Sequence, residues 1–251
     1  MRVGKPATRR SGVALATLCV VGLVLIGLLA ALGTWQIQRR AWKHALIARV
    51  EARVHAEPVA APGPAIWNSL TPETDAYRRV QATGRFQNDR ETLVQAVTEL
   101  GGGFWVMTPL LRPDGTTLLI NRGFIPPDRR DPATRAEGQT DAPVSVIGLL
   151  RFSEPGGGFL RSNDAGAGRW YSRDVAAIAQ ARGLNEAAPY FVDADATPNP
   201  GGWPVGGLTI VAFPDNHLVY ALTWYVLALM VAGALAYTLV DARRSARRRS
   251  T

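Results

Sequence analysis

Two stretches of this chain carry no charge at all, Val13 to Gly33 and Leu218 to Val240. Each meets the roughly 20 apolar residues a helix needs to cross a hydrocarbon layer about 30 Å thick. In such a layer every backbone amide must be bonded within the chain, so a stretch that crosses it does so as a helix, and two spanning helices are the expected reading. A secretory leader is the rival reading of the first stretch. Its apolar part would run about 7–15 residues to a small-residue cleavage site. This one is longer, and Leu29-Ala30-Ala31-Leu32 makes a poor site.

Charge places the remainder. The net charge of +8 would suit a nucleic-acid binder if it lay on a folded face, but residues 34–217 hold 19 basic and 19 acidic side chains. The excess sits in the ends, on Arg2, Lys5, Arg9 and Arg10 and on Arg243, Arg244, Arg247, Arg248 and Arg249. Basic residues flanking spans mark the side that stays in the cytoplasm. No Lys or Arg lies between Gly183 and Leu218, so the second span fixes the direction. The division read from the sequence is a basic cytoplasmic tail (1–12), a first transmembrane helix (13–35), an outer domain (36–217), a second transmembrane helix (218–240) and a basic cytoplasmic tail (241–251). No nucleic-acid partner is expected, only membrane lipid. The lone cysteine, Cys19, lies in the first span and can form no intramolecular disulfide or thiolate cluster.

Trp35 and Trp42, followed by Arg39, Arg40 and Lys43, suit the headgroup layer. The helical pattern continues through Leu46, Ile47, Val50 and Val54. Residues 57–72 read as a Pro- and Gly-rich loop. Strands are expected over 77–86, 92–97, 104–111, 116–121, 144–152, 190–192 and 208–213. Gly101-Gly102-Gly103 should break the chain, and Pro113-Asp114-Gly115 should turn a hairpin. Asp174 is placed to cap a short helix that Gly183 stops. The fold class is therefore α+β: two transmembrane helices flanking an extracytoplasmic, mainly antiparallel β domain.

Enzyme chemistry finds no purchase. Gly-x-Ser-x-Gly is absent, Gly156-Gly157-Gly158 lacks the strand, helix and Lys-Ser/Thr of a phosphate loop, and His44 and His55 are eleven residues apart, too far for an i, i+4 metal pair. His217 differs. As a helix, His217, Tyr220, Ala221 and Trp224 fall at i, i+3, i+4 and i+7 and share one face. One reading is an interfacial polar cap, with Asp215 or Asn216 accepting from free amides. The other is an axial ligand to haem iron, beside aromatics that can stack on a macrocycle. Without Cys-x-x-Cys-His such a haem would be non-covalent.

Five blocks in the same order, Gly33-Thr34-Trp35-Gln36 with Arg39, Thr83-Gly84-Arg85-Phe86, Asn121-Arg122-Gly123-Phe124-Ile125-Pro126, Trp170-Tyr171 with Arg173-Asp174, and Asn216 to Tyr225, resemble the Surfeit locus protein 1 family. The family often has Asn-Asn before the histidine where this chain has Asp215-Asn216, and Trp where it has Phe124. The resemblance implies a non-enzymatic assembly factor for the haem–copper cytochrome c oxidase, binding haem a and assisting its insertion into the catalytic subunit. It implies a bacterial inner-membrane protein with a periplasmic central domain. The expected partners are that catalytic subunit of the terminal oxidase and a haem a synthesis enzyme. His217 carries over as the haem-iron ligand, with Trp224, Tyr220, Trp35, Gln36 and Arg39 as further haem-binding candidates and Arg39 as a propionate partner. The alternative is a membrane-anchored scaffold that stabilises an oxidase subunit without binding haem. On the topology above, a reporter enzyme fused after Thr251 is expected to be active only in its cytoplasmic form; activity of an export-dependent reporter there would invert the orientation.

Overall fold

The computed structural model describes residues 12–158, 160–211 and 215–248. In chain order it contains α1 (Gly12–Val54), β1 (Val59–Ala60), α2 (Pro72–Asp75), β2 (Arg79–Phe86), β3 (Thr92–Thr98), β4 (Gly101–Leu111), β5 (Thr117–Ile125), β6 (Val144–Phe152), α3 (Val175–Arg182), β7 (Ala187–Ala194) and α4 (His217–Arg247). The chain divides into two compact units, Ala48–Val211 and a second made of Met1–Ile47 with Ala212–Thr251. The first unit is a β domain and the second a pair of long helices.

In the β domain, β2, β6, β7, β5 and β4 follow one another, and a further β2–β4 pairing closes them into a ring, with β1 added to β2 and β3 to β4. Closure removes the free edges that invite aggregation. The sheet is mainly antiparallel, but β5 runs parallel to β7 and β1 parallel to β2. The barrel is thus mixed. Inside it lie Val80, Leu110, Leu118, Ile120, Leu150, Tyr190 and Val192. Alternate residues of β5 and β7, Leu119 and Phe191, point the other way and pack with Val175 and Ile178 of α3 and with Trp170. Each large side chain so buried contributes about 1.5–3 kcal/mol. As the sequence indicated, Asp174 accepts from the Ala177 amide at the start of α3, and Gly183 stops that helix with φ of 59°.

Three expectations are corrected. Gly101 to Gly103 do not break the chain but begin β4, pairing with β3, and at Gly103 the missing side chain leaves room for β5, since a Cβ there would lie 2.6 Å from the Phe124 ring. Leu208 to Val211 form no strand, while Ala212, Phe213 and both basic tails before Gly12 and from Arg249 onward lie outside the described residues. The strand placed at 116–121 runs on to Ile125, so Asn121-Arg122-Gly123 sits within it.

That tripeptide is a buried polar knot. Asn121 Nδ2 donates to Asp193 Oδ1 at 2.7 Å, and the Arg122 guanidinium donates to the Gly138 carbonyl at 2.6 Å and Asn199 Oδ1 at 3.1 Å. It also lies 4.5 Å over the Phe86 ring. Burial lowers the Arg122 pKa to about 10, with Glu91 opposing the shift, so it stays charged at neutral pH. Gly123 has φ of 128°, and a Cβ there would meet the Val205 carbonyl oxygen at 2.1 Å. Gly123→Ala should therefore cost at least about 2–3 kcal/mol. Thermal unfolding of the detergent-solubilised protein, followed by tryptophan fluorescence, is expected to show a clearly lowered midpoint for the β domain; an unchanged midpoint would contradict this account.

Candidate functional site

The two helices of the other unit are apolar for long enough to cross a membrane, with mean hydropathy of 2.8 and 2.0 in their most apolar windows. Only 6% and 11% of those windows is buried within the molecule. A soluble protein's core helix would be covered; these present their apolar surface outward, as a lipid-facing helix does. Their contacts show an antiparallel pair. Gly22 meets Leu235, Gly33 meets Tyr225, and Gln36 meets His217, so positions advance on α1 as they retreat on α4.

Small residues form the seam. A Cβ on Gly33 would lie 2.9 Å from the Tyr225 ring, and one on Gly22 3.1 Å from the Leu235 side chain. Ala221 and Ala228 are buried. Between helices in lipid there is no hydrophobic drive, so close backbone approach and interhelical hydrogen bonds carry the association. The Thr34 and Tyr225 hydroxyls are 3.0 Å apart, about two turns along α4 from the histidine.

At the end of the pair where α4 begins, the polar contacts gather. His217 Nδ1 lies 2.7 Å from Gln36 Oε1. That oxygen can only accept, so Nδ1 carries the proton and donates. Among the described residues, the ring makes no other hydrogen bond, leaving the Nε2 lone pair uncommitted. Asp215 holds the backbone beside it: Oδ1 accepts from the His217 amide at 3.1 Å. Its Oδ2 faces α1, 2.6 Å from His44 Nε2 and 3.3 Å from Arg40 Nε. Those contacts, the His44 hydrogen bond first, hold the Asp215 carboxyl below its ordinary pKa. A carboxylate so depressed keeps its partners at neutral pH and releases them only as the pH falls through that lowered value.

The structure distributes the sequence candidates unevenly. His217 and Gln36 are brought into direct contact. Trp224 is half-buried on the histidine's side of α4, whereas Tyr220 is 55% exposed and points away from the seam occupied by Ala221. Trp35 is 53% exposed, about 100° around α1 from Gln36. The Arg39 guanidinium stacks 4.1 Å over Trp42, and its neighbour Arg40 is the arginine that reaches Asp215. From the sequence, His44 is weighed only against His55 as a metal pair and is not joined to Asp215. The available signal was the spacing of Gln36, Arg40 and His44, four apart, which places all three on one stripe of α1.

A family model described as the SURF1 family matches residues 23–229. This chain is 38% identical over 224 residues to Surfeit locus protein 1 of Homo sapiens, covering 82% of this chain and 72% of the human one. It is 37% identical over 210 residues to Surfeit locus protein 1 of Rattus norvegicus, covering 77% of this chain and 66% of that protein. A SURF1-like protein of Monosiga brevicollis is 37% identical over 233 residues, covering 87% and 85%.

The seam is open to a direct check. With Cys19→Ser as background, cysteines at Gly22 and Leu235 are expected to form a disulfide under mild oxidation. Adding Gly33→Leu should cut that yield severely, since its side chain occupies the place of the Tyr225 ring. Equal cross-linking with and without the leucine would refute the packing described.

Proposed function

The chain belongs to the SURF1 family, and from that membership and the Gln36–His217 contact we propose that it binds haem a at the helix pair and assists its insertion into the catalytic subunit of cytochrome c oxidase. The family is one of oxidase assembly factors rather than of catalysts. The observation that carries the haem reading is the state of the His217 ring. Its Nδ1 is engaged and its Nε2 is not, which is the arrangement a neutral imidazole needs to ligate iron. The donor set fits the group: one imidazole nitrogen, the Trp224 indole on the histidine's side of α4, and the Arg40 guanidinium on the same stripe of α1 as Gln36.

Haem a, when bound, supplies the iron and the macrocycle that the oxidase requires. The chain's own contribution is to hold and orient. His217 offers one replaceable ligand, so the cargo is retained without a covalent bond and can be given up. The outward apolar surfaces of α1 and α4 suit the long hydrocarbon tail of haem a, which would drive aggregation in water. Arg40 lies on the same stripe of α1 as Gln36 and meets Asp215 through Nε. Its terminal nitrogens are therefore placed better than those of Arg39, which stacks on Trp42, to meet a propionate by a charge-assisted hydrogen bond. In this reading the chain resides in a bacterial inner membrane with both ends cytoplasmic and the β domain periplasmic. It would take haem a from the enzyme that makes it and deliver it to the oxidase subunit.

The test is the optical spectrum of detergent-purified protein from cells that make haem a. The wild type is expected to carry haem, and His217→Ala to lose nearly all of it while retaining its Gly22–Leu235 cross-link. A wild type that never copurifies with haem would leave the cofactor-free scaffold as the function.

A further inference from the structure

The geometry points to Gln36 as a positioning residue that sets both the tautomer and the ligand strength of His217, an inference that rests on the haem reading above. An imidazole free in solution exchanges its single proton between Nδ1 and Nε2, and only the Nδ1–H form presents Nε2 as a lone pair. At 2.7 Å from Nδ1, the Gln36 side-chain oxygen stabilises that form alone. The contact is part-buried between the two helices, which limits the water that can compete for the same proton.

Gln36 can act this way because its own position is fixed from both sides. One turn toward the membrane interior, Gly33 packs on the Tyr225 ring and Thr34 meets the Tyr225 hydroxyl. On the other side, Asp215 ties the first amide of α4 to Arg40 and His44 of α1. The histidine is thus tethered at its backbone by Asp215 and at its ring by Gln36, and neither tether uses Nε2.

The chemistry of the acceptor matters too. A carboxylate at position 36 would pull the Nδ1 proton more strongly and push electron density toward Nε2, making a stronger ligand. A neutral amide fixes the orientation without that push. Gln36 therefore suits a site that must hold a metal-bearing group and then release it.

The experiment uses the full-length protein in detergent with 15N-labelled histidine, first without haem. Wild-type His217 is expected to show Nδ1 protonated and Nε2 bare; Gln36→Leu should lose that preference, and Gln36→Glu should keep it. With haem a added, Gln36→Leu should weaken binding about 10–100-fold, and Gln36→Glu should restore affinity and slow haem dissociation below the wild-type rate. If the haem-free wild type instead carries its proton on Nε2, or if Gln36→Leu changes neither tautomer nor affinity while His217→Ala loses haem, the positioning role is overturned and the haem reading stands. If His217→Ala keeps its haem, the ligand assignment fails and takes the role of Gln36 with it.

Discussion

A hydrocarbon layer offers no hydrogen bonds, and that constraint organises the helix pair. Along the interior of the pair, α1 and α4 touch through glycine and alanine: Gly22 against Leu235, Gly33 against Tyr225, with Ala221 and Ala228 buried. Three sets of polar contacts between them, Thr34–Tyr225, Gln36–His217 and the Arg40/His44–Asp215 cluster, fall toward the end where α4 begins. Packing of small residues brings the two backbones close enough for these bonds, and the bonds in turn fix the rotation of each helix about its axis. A histidine on a lone span could face any direction; here its ring has one.

The β domain meets the opposite problem, since its charges are buried in protein. Asp193 is 2% exposed on its side chain, yet it faces the guanidinia of Arg151 at 2.8 Å and Arg173 at 3.0 Å. Glu154 adds a second carboxylate on both arginines, and together the carboxylates raise the Arg173 pKa against the pull of desolvation. Burying one member of such a cluster without the others would cost about 3–5 kcal/mol. Closing the barrel brings these groups together from β6, β7 and the segment before α3, so strand order and ion pairing depend on each other.

Much of the plan was legible from residue order. Two uncharged runs read as candidate spans, and Asp174 and Gly183 marked α3 because a cap and a left-handed stop are local chemistry. The parallel β5–β7 pairing was not legible, because Leu119 and Phe191 are far apart in sequence and nothing local encodes a strand's distant neighbour. Glycine misled for a related reason. Gly101 to Gly103 look like a break, but they pair with β3, and at Gly103 the Phe124 ring fills the space a side chain would take. At the site, His217 stood out as a ring at a helix start, whereas the choice between Arg39 and Arg40 turned on helix rotation. Adjacent residues on a helix differ by about 100°, and only the seam says which one faces inward.

The division of labour between the two units follows from where polar capacity is left over. In the cleft of the β domain bounded by Trp105, Arg151, Arg173 and Asp193, about 320 Å³ in volume, both guanidinia are already engaged by carboxylates. A ligand entering there would have to displace an ion pair before gaining one. In the helix pair the reverse holds. Asp215 and Gln36 absorb the bonding needs of the α4 start and of one histidine nitrogen, and among the described residues the other nitrogen has no hydrogen-bond partner. On the reading proposed above, haem iron with its apolar periphery would serve that nitrogen. The site's incompleteness, more than any single residue, is what argues for cargo.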